Sequence, residues 1–302
     1  DAYKPNFHEI ISLLENMDYP TGDASIIPTY LLCKSVKRYC KVAIGGDGAD
    51  ELFGGYNHIN RSIKIAKTKK FLGNKVSKLF LKVLYRFNLI DKNKYQKSIL
   101  ILNNKIPMFP SLFTNEDLGN YINNDLKLIP NHIGQWENVE KLHLELLISD
   151  FQNFLPNDIL FKSDRVSMIS SLELRSPFLD LSLIKYILNH YNFLLSKGYL
   201  NKKFLLKSLA LEKLSLNFFK NKKLGFLPPI NKYFSEKNDR DYAYSYIIEN
   251  NYLDFNHNYV FKKINASSRS TKSAIQIFEL LSLTAWLRQN CIYLNPLKSI
   301  NV

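Results

Sequence analysis

The sequence predicts an α/β protein that is predominantly helical. Three observations carry this. Apolar residues recur at helical spacing through most of the chain; one short apolar run, Lys41-Val42-Ala43-Ile44, leads into a glycine-rich loop; and no apolar stretch approaches the roughly 18 residues of a membrane span. A chain of 302 residues with 46% hydrophobic and 23% charged residues fits one large domain or two modest ones.

Phe7, Ile10, Ile11 and Leu14 have the spacing of a short amphipathic helix over Phe7 to Glu15, ending before Pro20. Pro28 suits the first turn of a second helix, Thr29 to about Tyr39, because a first-turn proline forfeits no intrahelical hydrogen bond. Residues 41–44 read as a buried parallel strand running into the loop 45–56. Residues from about 59 to 138 are rich in lysine and asparagine and read as a peripheral helical insertion without a chemical motif. A helix over about 139–154 is expected to stop at Pro156, with another near 158–171. Further helices are expected near 181–189, 202–212, 241–248 and 271–291. The chain thus divides into a loop region (1–58), the insertion (59–138) and a helical C-terminal part (139–302).

The formal net charge is +14, nearly all from lysine, since only eight arginines occur. Such a surplus favours anionic partners, but enrichment in Asn, Ile, Lys and Tyr can also follow from genomic base composition. No helix-turn-helix, zinc or aromatic-rich basic motif supports a nucleic-acid partner, and no membrane partner is expected. Cys33, Cys40 and Cys291 are too few and too scattered for a disulfide framework or a four-ligand zinc site, which makes the cytoplasm the expected compartment. Cys33 and Cys40 read as buried apolar groups, Trp136 and Trp286 as core residues, and the six histidines show no metal-like pairing. The sequence opens at Asp1 without an initiator Met, so it is read as starting in mid-protein.

The chemistry concentrates at Gly45-Gly46-Asp47-Gly48-Ala49-Asp50-Glu51-Leu52-Phe53-Gly54-Gly55-Tyr56, three acids among five glycines directly after a strand. Glycines let backbone amides approach a ligand, and successive amides form anion-binding concavities. Carboxylates beside a phosphate repel it unless a cation bridges them, so Mg²⁺ held by one or two carboxylates with phosphate oxygens is the economical reading. An acidic turn at a strand end is the alternative.

This segment resembles the signature of the asparagine synthetase family, Ser/Gly-Gly-Asp/Glu-Gly-x-Asp-Glu-x-Phe-Gly-Gly-Tyr. Three more segments resemble the same family in the same order. They are 18–32, with Tyr19-Pro20 and Ile27-Pro28-Thr29-Tyr30-Leu31-Leu32; 155–180, with Lys162-Ser163-Asp164-Arg165-Val166-Ser167-Met168 and Leu172-Glu173-Leu174-Arg175-Ser176-Pro177; and Asn221-Lys222-Lys223-Leu224-Gly225-Phe226. The resemblance implies the C-terminal part of an ATP-dependent synthetase domain of the PP-loop type, with an incomplete parallel sheet. It implies amidation of aspartate through an aspartyl-adenylate, using ATP, Mg²⁺ and glutamine-derived ammonia.

By the same match, Gly45 and Gly46 would lie against the nucleotide, and Asp50, with Glu51 in support, would hold Mg²⁺ on the pyrophosphate. Asp47 would serve acyl-adenylate formation and amine capture, a task suited to a carboxylate that can orient ammonia and accept a proton. Lys223 would sit beside the phosphates, with Lys222 as substitute. Arg165, Glu173 and Arg175 would be either scaffold or contacts to substrate and phosphate, with Asp164 as their packing partner. A homodimer is possible within the family.

The family's Ser-Gly-Gly-x-Asp-Ser ATP loop and its amino-terminal glutaminase domain have no counterpart in these 302 residues. The sequence is therefore expected to be part of a larger enzyme and inactive alone. Amidation of another carboxylate, such as a surface sugar acid, and a non-catalytic binding module are the alternative expectations.

Overall fold

The computed structural model describes residues 5–107, 119–121, 132–214 and 228–294. Helix α1 (Phe7–Glu15) opens the described chain, with the Asn6 side chain accepting the Glu9 N–H at 2.8 Å as an N-cap. Helix α2 (Ile26–Val36) carries Pro28 in its first turn, three residues earlier than the spacing placed its start. Strand β1 (Val42–Ile44) follows, then the one-turn helix α3 (Ala49–Leu52) inside the glycine-rich loop. Helices α4 (Asn57–Leu72), α5 (Asn74–Arg86) and α6 (Lys92–Leu102) precede the short strands β2 (Lys105–Pro107) and β3 (His132–Gln135).

Helix α7 (Val139–Ser149) runs without a break through a π-helical stretch, Asp150–Leu160, into α8 (Phe161–Ile169). The expected stop at Pro156 is corrected here. Proline removes one N–H and crowds the preceding turn; the wider π winding takes up both, and the rod continues. Strand β4 (Glu173–Arg175), a 3₁₀ turn at Pro177–Leu179 and helices α9 (Leu181–Asn189), α10 (Tyr191–Ser196) and α11 (Phe204–Lys213) come next. Helices α12 (Ile230–Tyr233), α13 (Lys237–Glu249), α14 (His257–Ser267) and α15 (Thr271–Leu294) complete the described chain.

The result is a mostly helical α/β structure with a small parallel sheet. Strands β1 and β4 pair in parallel, with Val42 opposite Glu173, Ala43 opposite Leu174 and Ile44 opposite Arg175. Strands β2 and β3 form a separate antiparallel pair. Parallel strands are ordinarily covered on both faces, yet Ile44 is 77% exposed and Val42 is also exposed.

Two apolar clusters hold the molecule. The first gathers α1, α2 and α13 to α15 around Leu14, Ile26, Phe234, Phe255 and Phe278. The second gathers α3, α4, α6, α7, α9 and α10 around Phe53, Ile59, Leu142, Leu146 and Ile187. Helices α4 and α6 of the expected peripheral insertion supply Ile59, Ala66 and Ile101 to this second core, so those turns are packed parts of it. The glycine-rich loop joins the clusters: Ala43 leans on the first, while Leu52 and Phe53 lie in the second. Cys33 is buried as expected; Cys40 is exposed, because α2 ends at Val36 and residue 40 falls beyond it. Trp136 is in the core, and Trp286, half-buried, donates its indole N–H to the Asp18 carbonyl at 2.7 Å.

Candidate active site

The loop is built by the strand pair. The Gly45 N–H donates to the Arg175 carbonyl at 2.7 Å, carrying the β1–β4 ladder one step beyond β1. Beyond it, Gly46 is exposed, with open space where a Cβ would stand. Gly48 adopts φ +91° at the start of α3, a conformation that L side chains rarely enter. Gly54, at φ +61°, faces the Leu200 carbonyl so closely that a Cβ would overlap it.

Backbone hydrogen bonds then clamp the loop to the segment before α11. Lys202 N–H donates to the Gly54 carbonyl at 2.9 Å and Lys203 N–H to the Phe53 carbonyl at 3.0 Å. Lys202 and Lys203 both have positive φ. This turn delivers the Lys203 ammonium to Asp50, with Nζ 2.8 Å from Oδ2.

Asp50 and Glu51, expected to act together, point to different surroundings. Asp50 is about a quarter exposed beside Lys203. Glu51 is buried and accepts the Tyr56 hydroxyl at 2.5 Å. Burial raises the Glu51 pKa above the usual carboxylate range, and burial together with the neighbouring Glu51 carboxylate raises the Tyr56 phenol. Tyr56 also stacks on His58, whose Nε2 lies 2.9 Å from the buried Asp150 at the head of the π-helical stretch. Glu51 thus ties the loop to the second core. Among the described residues, no group of three or more His, Cys, Asp or Glu side chains is arranged to hold a metal ion.

Asp47 faces the other way, into a cleft of about 430 Å³. The cleft brings Asp47 together with Glu173 from β4 and with one face of the rod formed by the π-helical stretch and α8: Leu160, Ser163, Asp164, Ser167 and Met168. Those positions follow i, i+3, i+4, i+7, i+8, the spacing of a single helical face. Arg175 is held by Glu173 at the cleft rim, Nε to Oε1 2.8 Å. Arg165 is drawn off to Asp18 in an ion pair. The expected packing role of Asp164 is therefore not seen: Asp18 and Glu173 hold the two arginines, and Asp164 lines the cleft. Lys222 and Lys223 lie outside the described residues.

A second ionic cluster supports the back of the cleft. The buried Lys162 ammonium pairs with Asp23 and donates to Ser25 Oγ at 2.7 Å. Burial alone would raise the Asp23 pKa, but Lys162 and Ser25 outweigh it and hold it low. Burial and the nearby Asp23 charge push Asp158 up to about 6.

Reading the sequence missed Lys203 and the serines Ser163, Ser167 and Ser176. Ser163 and Ser167 had a signal, the helical-face spacing through residues 160–168; Ser176, just after β4, had none. Lys203 had none, because nothing distinguishes it among the chain's other lysines.

The strand-borne glycine loop and the adjacent cleft, with its carboxylates and hydroxyls, lie at the carboxyl end of a parallel strand pair, the place where open α/β sheets bind small molecules. Comparison with known proteins narrows the class. The asparagine synthase family model matches residues 1–288, and the chain belongs to that family. It is 27% identical over 233 residues to the asparagine synthetase (glutamine-hydrolyzing) 1 of Bacillus subtilis, an alignment covering 74% of this chain and 36% of that protein. It is 28% identical over 156 residues to the asparagine synthetases (glutamine-hydrolyzing) of Sandersonia aurantiaca and, for number 3, Arabidopsis thaliana, covering 51% of this chain and about a quarter of each. The chain thus spans about a third or less of the length of these relatives. No solved structure matches it.

Proposed function

We propose that this chain supplies the carboxylate-amidating site of an ATP-dependent ligase that converts aspartate to asparagine with glutamine-derived ammonia. The observation that carries the reading is the meeting of Asp47 and Glu173 in one cleft, through β1–β4 pairing. Family membership supports ATP-dependent amidation as the reaction class.

In this reading the Asp47 carboxylate orients the incoming amine and takes a proton as the C–N bond forms. Ser163 and Ser176 offer hydroxyl donors to the acid, while the Ser167 hydroxyl donates to the Asp164 carbonyl at 3.0 Å, and Glu173 holds Arg175 at the rim where anionic groups enter. Gly45 and the open side of Gly46 would lie against the nucleotide, and the family match assigns Lys223, which is outside the described residues, to its phosphates. Bringing two anions together requires cations at the leaving pyrophosphate.

Mg²⁺ fits Asp50, since a single carboxylate with phosphate oxygens is a donor set the ion accepts and this side chain is partly open at the loop. Glu51, turned onto Tyr56, does not belong to that set. The ion would neutralise charge on the leaving pyrophosphate; Lys203 would hold the Asp50 carboxylate in place for it.

The test is aspartate-dependent pyrophosphate release and amide formation by the intact protein purified from its own cell. Asp47→Asn is expected to lower amide formation by at least about 10²-fold. An unchanged rate removes Asp47 from the mechanism. Pyrophosphate release with another carboxylate but not with aspartate would keep the reaction and replace the substrate.

A further inference from the structure

Helix α5 is amphipathic, but its apolar stripe faces solvent. The residues it buries are Ser77 and Leu81, packed toward α4 and α6. Val76, Leu79, Phe80 and Val83 are exposed, and so is Phe87 just beyond its end. Their spacing, i, i+3, i+4, i+7, i+11, makes one stripe about 100° wide and about 17 Å long. Phe71, in the last turn of α4 before the Gly73 corner, is also 88% exposed. A surface helix of a globular protein normally turns such a stripe inward.

The charge around the stripe is one-sided. Lys75, Lys78, Lys82 and Arg86 recur at i, i+3, i+7, i+11 along one flank of α5. From Asn57 to Ile90 the sequence holds nine Lys and Arg and no Asp or Glu. Most of the +14 surplus is therefore concentrated here, which a composition bias spread along the chain would not produce.

We propose that α5 is a membrane-surface helix that lies in the interface of an anionic lipid bilayer, its Phe and Leu side chains at the acyl boundary and its lysines among the headgroups. Charge complementarity selects an anionic partner. Nucleic acid would use the cations but leave the apolar stripe in water, whereas a bilayer uses both faces of the same helix. The stripe sits on the convex side of a helix, the shape a flat interface accepts. No helix among the described residues is long and apolar enough to cross a membrane. Surface docking is a different mode, and it revises the expectation that membranes play no part.

The test is co-sedimentation of the intact protein with vesicles of phosphatidylcholine alone and of phosphatidylcholine with roughly 30% phosphatidylglycerol. Binding is expected to be at least about tenfold tighter to the anionic vesicles. It is expected to fall about tenfold in Phe80→Asp and in the pair Lys75→Glu, Lys78→Glu, with thermal unfolding unchanged because these side chains are exposed. Equal affinity for both vesicles, or binding that survives Phe80→Asp, overturns the proposal. So does a Phe80→Asp variant that breaks a dimer without altering vesicle binding, which would assign the stripe to a second copy. Duplex DNA binding as tight as vesicle binding and indifferent to Phe80→Asp would assign the cations to nucleic acid and overturn it as well.

Discussion

Glu279 on α15 is a carboxyl group in an apolar setting, with its Oε2 buried and without a hydrogen-bond partner among the described residues. Burial pushes its pKa from the usual 4.5 to about 8. In the unfolded chain it ionises near 4.5, so between these values the folded state holds a proton that the unfolded state has released. Stability is therefore greatest below about pH 4.5 on account of this group, falls as pH rises toward 8, and is level above that. Glu279→Gln is expected to remove this slope and to stabilise the protein by about 2–4 kcal/mol at pH 7, read from denaturant unfolding at several pH values. A variant that keeps the wild-type slope would mean that Glu279 is solvated in solution. Asp158 contributes the same sign over a narrower window, from its ordinary 3.8 to about 6.

The glycine loop shows how an element constrains its residues. Gly54→Ala would place a Cβ against the Leu200 carbonyl at a positive φ, and is expected to cost about 2–4 kcal/mol, seen as a lowered melting temperature. Gly55→Ala has no positive φ to contend with, but its Cβ would overlap the Asp50 carboxylate. It should disturb the Asp50–Lys203 pair and slow pyrophosphate release in the intact protein more than it lowers stability. Equal effects of the two variants on stability would show that the loop has no special geometry at Asp50.

Much of the element plan was legible in the sequence. The helices over 7–15 and 181–189 fall where apolar spacing put them, and their starts are marked by the Asn6 and Asp180 side-chain caps. Strand β1 was legible because Val and Ile lead into glycines. Strand β4 was not, since Glu173-Leu174-Arg175 carries no β signal and pairs only because β1 lies beside it. Pro156 misled because its usual effect assumes α-helical winding. The motif named Asp47, Asp50 and Glu173, and the cleft brings Asp47 and Glu173 together. The separation of Asp50 from Glu51 was not, because it depends on Tyr56 lying under the loop.

For the whole molecule, β1 and β4 form a two-stranded parallel sheet whose Ile44 and Val42 side chains meet water, close in sequence to the 87%-exposed Tyr39. Exposed apolar strands of this kind associate. The 302-residue chain alone is expected to show concentration-dependent self-association by light scattering, and Ile44→Lys is expected to reduce it. A monodisperse chain with Ile44 unchanged would show that this surface is not adhesive. The two apolar clusters meet at the glycine loop, so strain introduced in either should reach Asp47 and Asp50 without a direct contact.

The strand pair that makes the cleft joins segments about 130 residues apart along the chain. Loop closure over such a span is entropically costly and makes the contact slow to form relative to the helices around it. At roughly 5–20 residues per second, a ribosome would release β1 on the order of 10 s before β4 emerges. During that interval Asp47 has no cleft, and the strand that carries it offers an unpaired edge. The cleft is thus a late product of synthesis, completed after the elements that surround it, and a nascent chain halted before residue 173 would carry the full glycine signature without it.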